Sequence, residues 1–357
     1  MALLKGPAPV ITHPPYCSFP ALSPDKPSIT QGVSTAMRIL SGIKPSGTIH
    51  VGNYFGMIKP MVESQKRGQL FCFVANLHGQ TTLFDAAKMQ RYTSDAIMDL
   101  VALGIDPERS VLWVQSDVPE VCELTWYLNN VTPVGLLQRC HAYKDAVAKG
   151  IPANAGLFNY PVLMAADILM YQSNLVPVGQ DQKQHVEVTR DIAIKFNQTY
   201  GEAFTVPEPE IREEVAVVPG VDGQKMSKSY DNALEIFAEE KALRKKVMSM
   251  VTDSTPVEKP KDPDKSTIYQ LYRLLAAEAQ AAEMAAKFRA GGYGYGDAKK
   301  ALADALIAYF APFRAKRQEL ERNLAEVAAI RRKGAEKARA VAAETLAKVR
   351  KLVGTAV

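Results

Sequence analysis

Residues 38–54 read RILSGIKPSGTIHVGNY, and this stretch gives the strongest indication of the fold. Its first residues, Arg38-Ile39-Leu40, form a strand-like run, and a glycine-rich turn follows directly and opens a helix. Glycines let a backbone approach a ligand closely, and a helix N-terminus offers free N–H groups and a partial positive charge. The turn is neither G-x-G-x-x-G nor a Walker loop, which argues against dinucleotide oxidoreductases and P-loop NTPases. Taken alone, it predicts either a phosphate site or a tight turn.

Strand-like and helical segments alternate after this stretch. The strand-like runs are apolar and bounded by breakers, and they cover residues 70–75, 111–114 and 175–178. Segments with helical spacing and acidic starts lie between and after them, at 85–103 and 181–200. After about residue 234 helix formers dominate, over 238–250, 267–290 and from 297 to the end. We therefore predict an α/β fold, a Rossmann-like parallel sheet with ligands at the carboxyl ends of its strands, followed by an all-helical C-terminal domain.

Composition excludes several classes of protein. The chain has 357 residues, 47% hydrophobic and 23% charged, and no apolar run approaches the roughly 20 residues of a membrane helix. Its four cysteines form no C-x-x-C pair, so a disulfide framework and a metal knuckle are both disfavoured and a reducing cytoplasm fits. The net charge is +5, yet residues 311–357 alone carry +7 and the rest −2. This basic tail indicates a polyanionic partner or, alternatively, a solvated helix face.

Two further segments contain residues suited to chemistry. Residues 224–229 read QKMSKS, in which Lys225 and Lys228 can both face one polyphosphate, although an exposed basic loop has the same pattern. Residues 159–171 read NYPVLMAADILMY, which places Tyr160, Met164 and Asp167 on one face of an apolar helix. A carboxylate in such a run needs a donor, which is either a ligand or simply a neighbouring side chain.

These segments together resemble a known family. His50-Val51-Gly52-Asn53 occupies the place of the "HIGH" signature of class I aminoacyl-tRNA synthetases, and residues 225–229 match their "KMSKS" signature letter for letter. Residues 159–171 and 176–185 (VPVGQDQKQH) resemble the tryptophan-specific family within that class. The resemblance implies activation of L-tryptophan by ATP to tryptophanyl-adenylate and pyrophosphate, then transfer to tRNA(Trp). The tyrosine-specific family, a small-molecule nucleotidyltransferase and a non-catalytic synthetase-like paralogue remain the alternatives.

The resemblance assigns a role to each matching position. Asp167 accepts the indole N–H, a logical partner because indole offers a donor and no acceptor. Tyr160 and Gln182 hold the α-amino group. Met164, Ala75 and His78 line the indole pocket. By its spacing alone, His78 is an ordinary histidine at the end of a strand. The catalytic residues are His50, Asn53, Lys225 and Lys228. The other ATP-binding positions are Lys44, Pro45, Ser46, Gly52, Gly179, Gln180, Asp181, Val217, Met226, Ser227 and Ser229.

Two of these positions carry a second interpretation. Asp181 also fits the N-cap of the helix that follows it. Lys44 stands where several relatives have glutamine, and its fixed charge could replace part of the role of Mg²⁺ there.

The resemblance also implies an organisation and partners. Residues 37–240 form the catalytic domain, with the tryptophan site and a dimer interface in 115–175, and 241–357 form a tRNA- and anticodon-binding domain. Composition, and not the resemblance, predicts that residues 1–36, with seven prolines, form a disordered leader or precede a true start at Met37. Mg²⁺ arrives with ATP, no protein-bound metal or prosthetic group is expected, and the protein is a cytoplasmic homodimer without membrane contact. The basic candidates for tRNA contact are Arg314, Lys316, Arg317, Arg322, Arg331, Arg332, Lys333, Arg339 and Arg350.

Overall fold

Five parallel strands build the sheet of this protein, whose computed structural model describes residues 37–150, 152–211 and 218–356. The strands are β1 Arg38–Ile43, β2 Gln69–Val74, β3 Val111–Val114, β4 Leu175–Val178 and β5 Glu208–Ile211. Their order across the sheet is β3-β2-β1-β4-β5, and every neighbouring pair is parallel. The order reverses between β1 and β4, which is where ligands of open α/β sheets bind. The predicted Rossmann-like parallel sheet is confirmed.

Strand β5 goes beyond the four strands that the sequence predicts. Its residues Glu208-Pro209-Glu210 lack an apolar run, so period and hydrophobicity do not mark them. The strand pairs with β4 at the edge of the sheet, where a proline without an N–H is tolerated.

Alternate side chains of the strands enter two separate hydrophobic cores. On β2, Leu70 and Cys72 join one core, whereas Phe71 and Phe73 join the other. Because successive side chains of a strand point to opposite faces, each face of the sheet is covered by its own helices.

The helices of the α/β part surround these cores. They are α1 Val51–Asn53, α2 Lys59–Ser64, α3 Asn76–Gly79, α4 Ala86–Ala102, α5 Glu120–Asn129, α6 Val134–Gln138, α7 His141–Ala148, α8 Ala155–Met170 and α9 Lys183–Tyr200. A π-helical turn, Tyr54–Ile58, joins α1 to α2, and 3-10 turns occupy Gln115–Asp117, Gln180–Gln182 and Lys228–Tyr230. The first of these 3-10 turns directly follows β3, so it lies at the ligand-binding edge of the sheet.

The C-terminal region is helical as predicted. Its helices are α10 Glu240–Met248, α11 Thr267–Leu275, α12 Glu278–Ala290, α13 Tyr295–Arg322 and α14 Leu324–Val353. The block predicted from residue 297 onward is divided at Asn323, whose Oδ1 accepts the backbone N–H of Glu326 and so begins a new helix. The domain boundary near residue 240 stays a prediction, and the leader 1–36 lies outside the described residues. No helix in the described part of the chain has both the length and the apolar character needed to cross a bilayer.

Helix α14 returns to the sheet and packs against β3. Gly334 sits at the contact, where an added Cβ would lie 1.6 Å from the backbone oxygen of Leu112. Only a residue without a side chain permits this approach of helix to strand.

We expect Gly334→Ala to lower the free energy of unfolding by about 1–3 kcal/mol or more, because the methyl group meets rigid backbone. Urea denaturation measures this change. Gly296→Ala in α13 is the matched control, since its added Cβ meets nothing within 4 Å. That control should be neutral or stabilising by up to about 1 kcal/mol. Equal midpoints for wild type and Gly334→Ala would contradict the packing of α14 on β3.

Candidate active site

His50 and Asn53 close the N-terminus of α1 reciprocally. The backbone N–H of Asn53 donates to His50 Nδ1 at 3.2 Å, and the backbone N–H of His50 donates to Asn53 Oδ1 at 3.2 Å. Burial and the charge of Lys228 lower the pKa of His50 to about 4, so the imidazole is neutral at pH 7. Because Nδ1 accepts, the proton sits on Nε2, which can donate to a phosphate oxygen.

Lys228 reaches from the signature loop, residues 225–229, to the glycine-rich turn. Its Nζ donates to the backbone oxygen of Ser46 at 3.1 Å and lies 3.4 Å from Ser46 Oγ. Burial lowers the pKa of Lys228, and the charges of Glu235 and Asp99 oppose this. The lysine borders a cavity of about 220 Å³, lined by Ile43, Lys44, Pro45, Ser46, Gly47, Ile49, Asn53, Met57, Ala96 and Lys228. Five of the predicted ATP-binding residues therefore meet at one cavity.

The two signature segments pack directly on each other. The backbone N–H of Gly52 points at Met226 Sδ, 3.3 Å away, and an added Cβ at Gly52 would lie 3.3 Å from Met226 Cβ. The backbone N–H of Val51 donates to the oxygen of Leu234 at 2.9 Å. The start of α1 and the signature loop are therefore neighbours in the fold, although they lie 174 positions apart in sequence.

Asn232 organises the signature loop and is not among the site residues predicted from the sequence. Its Oδ1 accepts the backbone N–H of Ser227 at 2.7 Å, and its Nδ2 donates to Asp222 Oδ1 at 2.8 Å and to the backbone oxygen of Lys225 at 3.1 Å. The residue is 1% exposed, and an added Cβ on Gly220 would lie 2.4 Å from its side chain. The sequence signal is limited to an asparagine four positions after KMSK, because its burial is visible only in the fold.

The other lysines of the site differ in their contacts. Lys225 is exposed on the outside of the signature loop, as is Ser229, whose Oγ lies 2.7 Å from Ser227 Oγ. Lys44 donates through Nζ to Thr81 Oγ1 at 3.2 Å, and burial lowers its pKa. Thr81 in turn donates to the backbone oxygen of His78 at 2.8 Å. This hydrogen-bonded chain leads from the cavity to His78, which belongs to a second, buried site.

The remaining predicted ATP residues lie after β4. Gly179 and Gln180 follow the carboxyl end of that strand. The side chain of Asp181 and all of Val217 lie outside the described residues, so their predicted contacts with ribose and adenine stay predictions.

Asp167 is the centre of the second site. The residue is 2% exposed on α8, and its Oδ2 lies 2.9 Å from His78 Nε2. Gln115 Nε2 donates to Oδ1 at 3.0 Å and to Oδ2 at 2.8 Å. Burial raises the pKa of Asp167, while hydrogen bonds and charge from His78, and the hydrogen bond from Gln115, act in the opposite direction. The structure therefore brings Asp167 and His78 together and adds Gln115, which is not among the site residues predicted from the sequence.

The other residues predicted to bind tryptophan are arranged around this carboxylate. The rings of Tyr160 and His78 lie edge to face at 6.1 Å, and the Tyr160 hydroxyl lies 2.5 Å from His185 Nε2. Burial raises the pKa of Tyr160 to about 12, so it is a neutral hydroxyl at pH 7. Ala75, Met164 and Gln182 are buried or half-buried on the elements that carry these groups, the end of β2, α8 and the turn before α9. Their predicted contacts with substrate stay predictions.

Most of the nominated basic residues contact the protein itself. On α14, Arg331, Lys333, Arg339 and Arg350 form ion pairs with Asp117, Glu108, Glu120 and Glu123 of the α/β part. On α13, Arg317 is 8% exposed and its Nε lies 2.6 Å from Asp99 Oδ1. Arg314 donates to the backbone oxygen of Ile236, Lys316 pairs with Glu319, and Arg322 donates to the oxygen of Gln318. Much of the tail's positive charge is therefore matched within the chain, and contact of these residues with tRNA stays a prediction.

The parallel sheet and the two signature segments packed together at the cavity are the arrangement expected of a class I aminoacyl-tRNA synthetase. Residues 34–311 match the family described as tRNA synthetases class I (W and Y). The chain belongs to this family.

Named relatives fall in the tryptophan branch of the family. A tryptophan–tRNA ligase of Rhodopirellula baltica is 52% identical over 318 residues, which cover 89% of this chain and 99% of that protein. One of Fusobacterium nucleatum is also 52% identical over 318 residues, 89% of this chain and 98% of that protein. The structure of tryptophanyl-tRNA synthetase from Campylobacter jejuni, complexed with ADP and tryptophan, is 49% identical. It superposes with a TM-score of 0.85 over 89% of this chain and 100% of that chain.

Proposed function

We propose that this protein is a tryptophan–tRNA ligase. It joins L-tryptophan to ATP, giving tryptophanyl-adenylate and pyrophosphate, and then transfers the tryptophanyl group to tRNA(Trp). One observation carries the choice of amino acid: Asp167, a buried carboxylate that accepts from the Gln115 amide and lies 2.9 Å from His78 Nε2, stands at the position that the resemblance assigns to the indole site. The tryptophan-bound relative supports the same choice.

The first step needs no nucleophile from the protein. The carboxylate of tryptophan attacks the α-phosphorus of ATP, and the bond from that phosphorus to the leaving pyrophosphate breaks in line. Lys228, at the cavity beside Ser46, stabilises the negative charge that builds on pyrophosphate. His50 donates its Nε2 proton as a hydrogen bond to a phosphate oxygen, and Mg²⁺ enters with ATP as part of the substrate. Catalysis therefore consists of positioning and charge stabilisation.

Dimerisation and tRNA binding complete the proposal. Trp126, Val134 and Val147 are 67%, 61% and 57% exposed on α5, α6 and α7, within the predicted interface region 115–175. Exposed apolar side chains on neighbouring elements support a contact with a second copy of the chain. We place the homodimer in the cytoplasm, with tRNA bound by the helical region.

Tryptophan-dependent exchange of pyrophosphate into ATP tests the first step, with tyrosine as the matched control. We expect exchange with tryptophan and almost none with tyrosine. An amino-acid site built around one substrate hydrogen bond strongly rejects an amino acid that does not form this bond in the same place. Exchange with tyrosine alone would assign the chain to the other branch of its family. Exchange with neither amino acid would support the non-catalytic alternative. Charging of tRNA(Trp) by the same preparation tests the second step.

A further inference from the structure

Gln115 occupies a fixed orientation at the start of the 3-10 turn after β3. The residue is 1% exposed, and its Oε1 accepts the backbone N–H groups of Leu77 at 3.0 Å and His78 at 3.4 Å. Two backbone donors on one atom identify that atom as the oxygen, so the amide nitrogen must face Asp167. The orientation of Gln115 is thus determined by its contacts.

The donors around Asp167 occupy its acceptor sites unequally. Oδ2 receives both Gln115 Nε2 and His78 Nε2, at 2.8 and 2.9 Å, whereas Oδ1 receives Gln115 Nε2 at 3.0 Å. An ionised carboxylate offers about four lone-pair sites, two on each oxygen. Among the described residues, the contacts fill Oδ2 and leave one site of Oδ1 open.

We propose that Gln115 is a positioning residue for amino-acid specificity: it orients the Asp167 carboxylate and reserves one acceptor site of Oδ1 for the indole N–H. This inference rests on the proposed function. Gln115 acts through Asp167 and not on the substrate itself. Because its amide donates to both oxygens, it favours the ionised form, and an ionised carboxylate accepts from indole and cannot donate.

The charge state of Asp167 therefore sets the expected pH dependence. Burial raises its pKa, and the donors His78 and Gln115 counteract burial. Among the described residues, the other titratable groups that interact electrostatically with Asp167 are Cys122 and Tyr171. Burial raises the pKa of both, which leaves them neutral at pH 7. Loss of the Gln115 donor raises the pKa of Asp167 further. As pH falls, protonation of Asp167 then weakens the binding of tryptophan at a higher pH than in the wild type.

The test is Gln115→Met, which keeps the length of the side chain and removes both its donor and its acceptor. Pyrophosphate exchange gives kcat/KM for tryptophan and phenylalanine across the acidic and neutral pH range. We expect kcat/KM for tryptophan at pH 7 to fall about tenfold to a hundredfold. The midpoint of the acidic limb in the pH profile of kcat/KM for tryptophan should move up by about 1 pH unit or more. The ratio of the two kcat/KM values removes titrations that both amino acids share, and we expect it to fall about tenfold.

Two further variants separate positioning from folding. Ser116→Ala is the matched control, because Ser116 Oγ accepts from Asn76 Nδ2 at 2.8 Å in the same turn and has no contact with Asp167 among the described residues. It should leave the midpoint and the ratio unchanged. Gln115→Glu keeps the shape and places a second carboxyl beside Asp167, so it should raise the midpoint even if Gln115→Met fails to fold.

The outcomes distinguish this inference from the proposed function. Equal losses for tryptophan and phenylalanine, with an unchanged midpoint in both Gln115 variants, would show a purely structural role and overturn the inference alone. Absence of tryptophan-dependent exchange in the wild-type protein would overturn the proposed function itself.

Discussion

Replacing Lys228 with alanine is expected to slow formation of tryptophanyl-adenylate by about a hundredfold to a thousandfold. The ammonium group lies beside the glycine-rich turn, 3.1 Å from the oxygen of Ser46, at the cavity that the phosphates of ATP would enter. Partial burial lowers its pKa, which indicates incomplete hydration, so it gains most when a phosphate oxygen becomes its partner. The charge on pyrophosphate grows in the transition state, and the loss should appear in kcat.

Single-turnover adenylate formation and equilibrium binding of tryptophan together measure this effect. The affinity for tryptophan should change less than about threefold, because Asp167 and its donors make no contact with Lys228 among the described residues. Lys241→Ala, an exposed lysine of α10, controls for loss of positive charge. Lys225→Ala should have a smaller effect than Lys228→Ala, since Lys225 is exposed on the outside of the loop. Parallel losses of rate and of tryptophan affinity in Lys228→Ala would argue against a transition-state role.

Asp167→Asn is expected to reduce kcat/KM for tryptophan about a hundredfold. The ratio of kcat/KM for tryptophan to that for phenylalanine should fall at least tenfold. In the wild-type protein, phenylalanine would leave a buried carboxylate with an empty acceptor site, which is costly. Asparagine lowers that cost because its neutral oxygen is a weaker acceptor than a carboxylate oxygen. Pyrophosphate exchange with both amino acids measures the ratio.

The same variant should not lose stability. Burial holds the pKa of Asp167 above its unfolded value, so the folded state binds the proton more tightly than the unfolded state. Ionisation of this carboxyl therefore lowers the stability of the fold, and the cost decreases as pH falls through the folded pKa. The Asp167→Asn substitution removes the charge. We therefore expect an equal or higher melting temperature at pH 7, and a melting temperature that changes less as pH is lowered. A large loss of melting temperature would indicate that Asp167 is primarily a structural residue.

Local signals explain which site residues the sequence predicts. His50, Asn53 and Lys228 lie in short segments whose spacing is itself informative, and Asp167 stands out as a charge within an apolar helix. Gln115 gives no comparable signal, because its partners lie 38 and 52 positions away and only the parallel sheet brings them together. The α/β alternation likewise predicts the sheet but not its polar edge strand β5.

The basic tail shows the limit of inferring free charge from composition. Its net charge of +7 is correct, yet the acids that match much of it lie more than 200 positions earlier. Arg331 pairs with Asp117 across 214 positions through two contacts of 2.6 Å. Net charge along a sequence therefore predicts that positive side chains are present, and the fold decides how many of them are free.

Asp117 ends the short turn that Gln115 begins, and both Arg331 and Arg339 of α14 hold it. A fragment that ends before α14 would therefore lose both arginines that hold this turn. We expect such a truncated enzyme to discriminate less well between tryptophan and phenylalanine, even in pyrophosphate-exchange assays that contain no tRNA. Attempts to isolate a minimal activating core should therefore keep the last helix.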